Sequence, residues 1–114
     1  MSDPLRIALA DDQALVRTGL KALLGGIAGL QVTLEAGDGE DLLAKLPQTP
    51  VDVILSDIRM PLCDGFQLAK RLRGKGDATP VLLMTTFDEP DLVLRAVECG
   101  AQGFLLKDAS PEDL

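Results

Sequence analysis

Two rhythms of apolar and polar residues alternate along the chain. Short unbroken apolar runs at Leu5–Ala10, Leu30–Ala36, Val51–Ser56, Val81–Met84 and Gly103–Leu106 have the length and composition of strands buried on both faces. Between them the apolar residues recur at helical spacing. From about Gln13 to Leu24, Val16, Leu20, Leu23, Leu24 and Ile27 form one stripe from which Arg17 and Lys21 are expected to point away, and Gly25, Gly26 and Gly29 close the helix. Asp38 is placed to cap a second helix with Leu42, Leu43 and Leu46 on its inner face, closed by Pro47 and Pro50. Asp64 and Gln67 have capping-box spacing and open a third helix, about Gly65–Arg73. Asp88, Pro90 and Asp91 open a fourth, which buries Val93, Ala96 and Val97 and stops at Gly100.

Ser110-Pro111-Glu112-Asp113 reads as the start of a fifth helix, and the sequence stops one turn into it at Leu114. The unit strand–helix therefore recurs five times. Strands alternating with helices of this length predict right-handed βαβ units and a parallel sheet covered on both faces. A fifth helix cut short would leave part of the first and last strands uncovered. The expectation is that the native chain continues past Leu114, and that this piece is destabilised or hides the patch by dimerising or swapping elements.

Composition narrows the classes. A chain of 114 residues is one domain, and at 46% hydrophobic with three Phe, no Tyr and no Trp its core is aliphatic. A net charge of −7 argues against nucleic-acid or anionic-membrane binding by these residues. No run reaches the roughly 20 apolar residues of a membrane span, and Met1–Asp3 begins no signal peptide, so a cytoplasmic location is expected. No His and two separated cysteines, Cys63 and Cys99, leave neither a disulfide framework nor a zinc site.

The chemistry lies at the strand ends. The first strand ends in Asp11-Asp12, the third in Asp57, the fourth in Thr85-Thr86 and the fifth in Lys107. In a parallel sheet these ends share one edge, where ligands of open α/β sheets bind. Each residue has a plainer reading: Asp57 a turn, Asp11-Asp12 a helix cap, Thr85 a strand end, Lys107 a surface charge. Together they make three carboxylates that repel one another unless a cation intervenes, and one Lys does not neutralise three acids. All-oxygen ligands favour Mg²⁺, or Mn²⁺, over zinc. A carboxylate beside such an ion, a hydroxyl and an ammonium suits phosphoryl transfer, with Asp57 as nucleophile.

Asp11-Asp12, Asp57 with Pro61 and Asp64-Gly65 behind it, Thr85, and Gly103-Phe104-Leu105-Leu106-Lys107 resemble the receiver domain of two-component response regulators along essentially the whole chain. Val16-Arg17-Thr18-Gly19-Leu20 and Phe104-Leu105-Leu106-Lys107-Asp108 are similar to the NarL/FixJ (LuxR-type) subfamily, whose members usually carry a C-terminal helix-turn-helix DNA-binding domain. The resemblance implies a flavodoxin-like (β-α)5 fold, an open five-stranded parallel sheet of order 2-1-3-4-5 with its fifth helix truncated. It implies a non-enzymatic signalling domain in which Asp57 accepts a phosphoryl group from a sensor histidine kinase. Mg²⁺ would be held by Asp11, Asp12, Asp57 and the backbone carbonyl of Arg59. Thr85 and Lys107 would bind the phosphoryl oxygens, and Phe104 stands at the position of the switch aromatic.

Thr85 moving toward a phosphoryl group would drag the loop Thr86–Pro90, with Phe104 filling the space, and dimerisation or effector release would follow. Arg59, Thr86 and Phe87 line the rim where water must attack, and a bulky Phe87 with Arg59 is expected to slow hydrolysis. Two rivals remain. A Mg²⁺-dependent phosphohydrolase with an Asp nucleophile needs a second acid nearby, and two residues beyond Asp57 stands Arg59. A phosphorylation-independent receiver would not need the complete set of acids, Thr and Lys.

Overall fold

The computed structural model describes residues 3–85, 95 and 97–106, the last three through their backbone. Five strands, β1 (Leu5–Ala10), β2 (Leu30–Ala36), β3 (Val53–Asp57), β4 (Val81–Thr85) and β5 (Gly103–Leu106), form one sheet in the order β2-β1-β3-β4-β5. Every neighbouring pair is parallel. The chain runs from β1 outward to β2 and then back across to β3, which puts a topological switch point between the ends of β1 and β3. The order of the first four strands is the doubly wound one expected from the sequence. Helices α1 (Ala14–Gly25), α2 (Gly39–Lys45) and α3 (Gly65–Gly74) make the connections, and a 3₁₀ turn, Leu46–Gln48, extends α2.

Strand residues alternate between two cores. Ala8, Ala10, Ile54, Val81 and Leu83 pack with Leu42 and Leu43 of α2 and Leu68, Ala69 and Leu72 of α3. Ile7, Leu9, Leu55 and Met84 face the other way, toward Leu20 and Leu24 of α1. In β2 the alternation slips, because one extra residue, Thr33, lies between the positions paired with Ile7 and Ala8. This bulge turns Leu30 and Val32 to the α1 side and Leu34 and Ala36 to the other.

Helix starts follow local chemistry. The Asp38 carboxylate accepts from the Asp41 N–H at 2.8 Å, and Asp64 with Gln67 forms the reciprocal capping box. Gln13, which precedes α1, makes no side-chain cap.

Several expectations need correction. The third strand begins at Val53 rather than Val51, because Asp52 turns aside and accepts from the Arg6 N–H at 2.7 Å while pairing with its guanidinium. Leu23 and Ile27, assigned to the buried stripe of the first helix, are exposed, and Arg17, expected to point away, turns toward the sheet edge. Val97 is also exposed: Arg95 stacks on the Phe66 ring and Cys99 is buried, so the face at residues 95 and 99 turns inward and Val97, two positions on, turns out. Of the cations at the end of α3, Arg71 pairs with Glu40, and Arg73 donates to the carbonyls of Gly100 and Asp77 and to Gln102 Oε1. They tie α3 to α2 and to the turn before β5. The expected start of the fourth helix, with Val93 and Ala96, and the start of the fifth lie outside the described residues.

Candidate functional site

The C-terminal ends of β1 and β3 bring the expected acids together. Asp57 is the last residue of β3 and Thr85 the last of β4, each one position deeper in the sheet than anticipated. Asp11 follows directly on β1 and is fully buried, Asp57 is 7% exposed, and Asp12 is open to solvent. One carboxylate oxygen from each of Asp11, Asp12 and Asp57 lies within 4.8 Å of the others. These are hard oxygen donors, with no imidazole or thiolate among them, a set that fits Mg²⁺ or Mn²⁺.

Asp11 is fixed at several atoms. Its N–H donates to the Ala36 carbonyl at 3.1 Å, which ties it to the end of β2. Its carboxylate accepts from the Gln13 N–H at 2.9 Å, and its carbonyl accepts from Arg17 Nη1 at 2.6 Å. Asp57 is held by the chain on both sides. The Ser56 hydroxyl donates to the Asp57 carbonyl at 2.9 Å, and the Ile58 N–H donates to the Met84 carbonyl at 3.0 Å.

The loop after Asp57 is equally constrained. The Cys63 N–H donates to the Pro61 carbonyl at 2.7 Å around Leu62, whose φ of 68° lies in the left-handed region. That is a tight three-residue turn of a rare, strained kind, made by a side chain that is 79% exposed. It delivers the Cys63 carbonyl to the Gly39 N–H at 3.0 Å and lets the Gly65 N–H reach the Ile58 carbonyl at 2.8 Å. A Cβ on Gly65 would stand 2.6 Å from the Asp57 carbonyl oxygen, and one on Gly39 would stand 2.6 Å from that of Cys63. Both glycines are therefore required by close approach at the loop that follows Asp57. Burial pushes the Cys63 thiol above its usual range, so it packs here as a neutral group.

Beside the acids opens a groove of about 620 Å³, lined by Asp12, Arg59, Met60, Asp64, Phe66 and Arg95 among others. Arg59 is exposed at its rim. Arg95 sits over the Phe66 ring, 4.2 Å from its centre. Phe104 is placed by its backbone in β5, opposite Leu83 of β4. Lys107, Thr86 and Phe87 lie outside the described residues. Of the residues that hold the site, the sequence reading missed Arg17, Leu62 and Gly39. An Arg one turn into a helix that follows an acid pair is the signal that points to the first.

Comparison with known proteins agrees with this geometry. Residues 7–114 match the family described as the response regulator receiver domain. YxjL of Bacillus subtilis, an uncharacterised transcriptional regulatory protein, is 44% identical over 112 residues, covering 98% of this chain and 51% of its own length. The transcriptional regulatory protein UhpA of Escherichia coli is 43% identical over 110 residues, covering 96% of this chain and 55% of its own. The chain thus spans about half the length of the curated relatives it matches. Among solved structures, the signal receiver domain of NarL from Mycobacterium tuberculosis superposes with a TM-score of 0.90 at 38% identity, covering 96% of this chain and 88% of that one.

Proposed function

The chain belongs to the response regulator receiver domain family, and from that premise we propose that Asp57 accepts a phosphoryl group from a sensor histidine kinase in a reaction that needs Mg²⁺. The observation that carries this reading is the convergence of Asp11, Asp12 and Asp57 within 4.8 Å at the switch point of a parallel sheet. Asp11, Asp12, Asp57 and the Arg59 carbonyl would hold the ion. Bound there, Mg²⁺ supplies positive charge to the transferring phosphoryl oxygens.

The protein's own part is positional. An Asp57 carboxylate oxygen attacks phosphorus in line, forming the O–P bond while the P–N bond to the donor imidazole breaks and its electron pair returns to the ring nitrogen. The rigid turn at Leu62 and the contact between Gly65 and the Asp57 carbonyl hold the nucleophile still while this happens. The Thr85 hydroxyl and the Lys107 ammonium take the phosphoryl oxygens. Thr85 and Phe104 then carry the change along β4 and β5 toward dimerisation. The relatives' length and their description as transcriptional regulators support a C-terminal helix-turn-helix domain as the output.

Incubation with Mg²⁺ and a small phosphodonor such as acetyl phosphate tests this. The protein should gain the mass of one phosphoryl group, Asp57→Asn should abolish the gain, and a chelator should prevent it. A gain that persists in Asp57→Asn rules out this acceptor.

A further inference from the structure

We infer that Arg17 is a positioning residue for the acid pair and sets the affinity of the site for its divalent cation. The inference rests on the reading of Asp11 and Asp12 as cation ligands. Arg17 lies in the second turn of α1, and helical side chains lean toward the N-terminus, so a long one reaches back over the turn that precedes the helix. Its Nη1 donates to the Asp11 carbonyl at 2.6 Å, and that carbonyl belongs to the peptide joining Asp11 to Asp12. The same guanidinium faces Glu35 on β2, with Nε 3.6 Å from the carboxylate. Lys21 holds that carboxylate's other oxygen at 2.9 Å.

One planar group thus clamps the Asp11–Asp12 peptide to β2, next to the point where the Asp11 N–H already meets the Ala36 carbonyl. Asp12 is exposed, and among the described residues no hydrogen bond or ion pair holds its carboxylate directly. Its direction is set through the peptide that Arg17 holds. Two effects of the guanidinium oppose each other. Its charge repels an arriving cation, while its hydrogen bond orients the ligands. Glu35, shared with Lys21, offsets the charge only in part, while the hydrogen bond acts on the ligand peptide itself, so orientation prevails. Lys cannot replace the fork, because one ammonium does not span the carbonyl and the carboxylate as a planar guanidinium does.

Mg²⁺ binding measured calorimetrically on the unphosphorylated protein separates this role from a structural one. Arg17→Ala should weaken Mg²⁺ binding about tenfold, in the range seen when groups behind metal ligands are removed. Lys21→Ala removes an ion pair to the same Glu35 carboxylate but no bond to Asp11, and should change affinity by less than about twofold. Arg17→Lys keeps the charge and the aliphatic stem, and guards against loss of folding. Its affinity should fall between those of the native protein and Arg17→Ala.

Native affinity in both Arg17 variants, or an equal loss in Lys21→Ala, overturns the positioning role and leaves the proposed function standing. Absence of Mg²⁺ binding in the native protein overturns the cation-site reading itself, and this inference with it.

Discussion

The two faces of the sheet are finished to different degrees. On the α2–α3 face, Ile54, Leu42, Leu68, Leu72 and Leu83 are all at or below 1% exposure. On the α1 face the strand residues Ile7, Leu9, Leu55 and Met84 are buried, yet α1 contributes no buried residue at all. Leu20 and Leu24 are half-covered, and Leu23 and Ile27 are exposed at 60% and 52%. Both helices carry an apolar stripe of similar strength, so pattern does not explain the contrast. Position does. Beside α3 lies α2 on one side and the segment of Arg95 and Cys99 on the other, and Arg73 and Arg95 bridge to it. Among the described residues, α1 rests on β1 and β2. A stripe seals only where neighbouring elements close over its edges.

The largest expected effect tests this contrast with the same chemical change on each face. Leu68→Ala empties a fully enclosed site and should cost about 3 kcal/mol, within the usual range for buried leucines. Leu24→Ala truncates a side chain that water already reaches and should cost about 1 kcal/mol. Urea denaturation of both variants gives the two values, and equal losses would mean that α1 is held as tightly as α3.

The same contrast decides what could be read from the sequence. The acid cluster was legible because buried parallel strands announce themselves as apolar runs, and the residue ending each run is placed on one edge by topology alone. Asp11, Asp57 and Thr85 therefore needed no side-chain detail. Arg17 was misread because periodicity assigns a face to a Cα, and a five-bond side chain can leave that face and reach back to the Asp11 carbonyl. Val97 was misread because the apolar residue was preferred over Arg95, whose guanidinium covers Phe66 as an apolar group would. The third strand began late because Asp52 answers Arg6, a partner forty-six residues away that no local rule supplies. The turn at Leu62 was hidden for a simpler reason: residues that favour φ > 0 are Gly and Asn, and this one is Leu.

The helix starts differ as the faces do, which gives a smaller effect. α3 opens with both halves of a capping box: the Asp64 carboxylate accepts from the Gln67 N–H at 2.8 Å, and Gln67 Oε1 accepts from the Asp64 N–H at 3.0 Å. Asp64→Ala removes the half made by the carboxylate and leaves the half made by the backbone N–H of residue 64, and should destabilise the protein by about 1 kcal/mol in the same denaturation experiment. An unchanged midpoint would show that packing alone fixes the first turn of α3, and would separate the tight face from its cap.

The smallest effect runs in the opposite direction and sharpens the comparison at α1. Gln13 has the extended backbone of a capping residue, with φ −94° and ψ 105°, but its side chain accepts nothing from the first turn. Gln13→Ser places a short hydroxyl where it can accept from an N–H of that turn, while the bond from the residue-13 N–H to the Asp11 carboxylate needs no side chain at position 13 and survives. The expected gain is about 0.5 kcal/mol, at the low end for a cap, because serine's hydroxyl competes with water at an exposed position. Gln13→Ala, which adds no acceptor, should leave the midpoint where it is. A gain in the serine variant alone shows that the uncapped start of α1 costs stability. Equal behaviour of the two shows that the first turn of α1 is held without a side-chain cap.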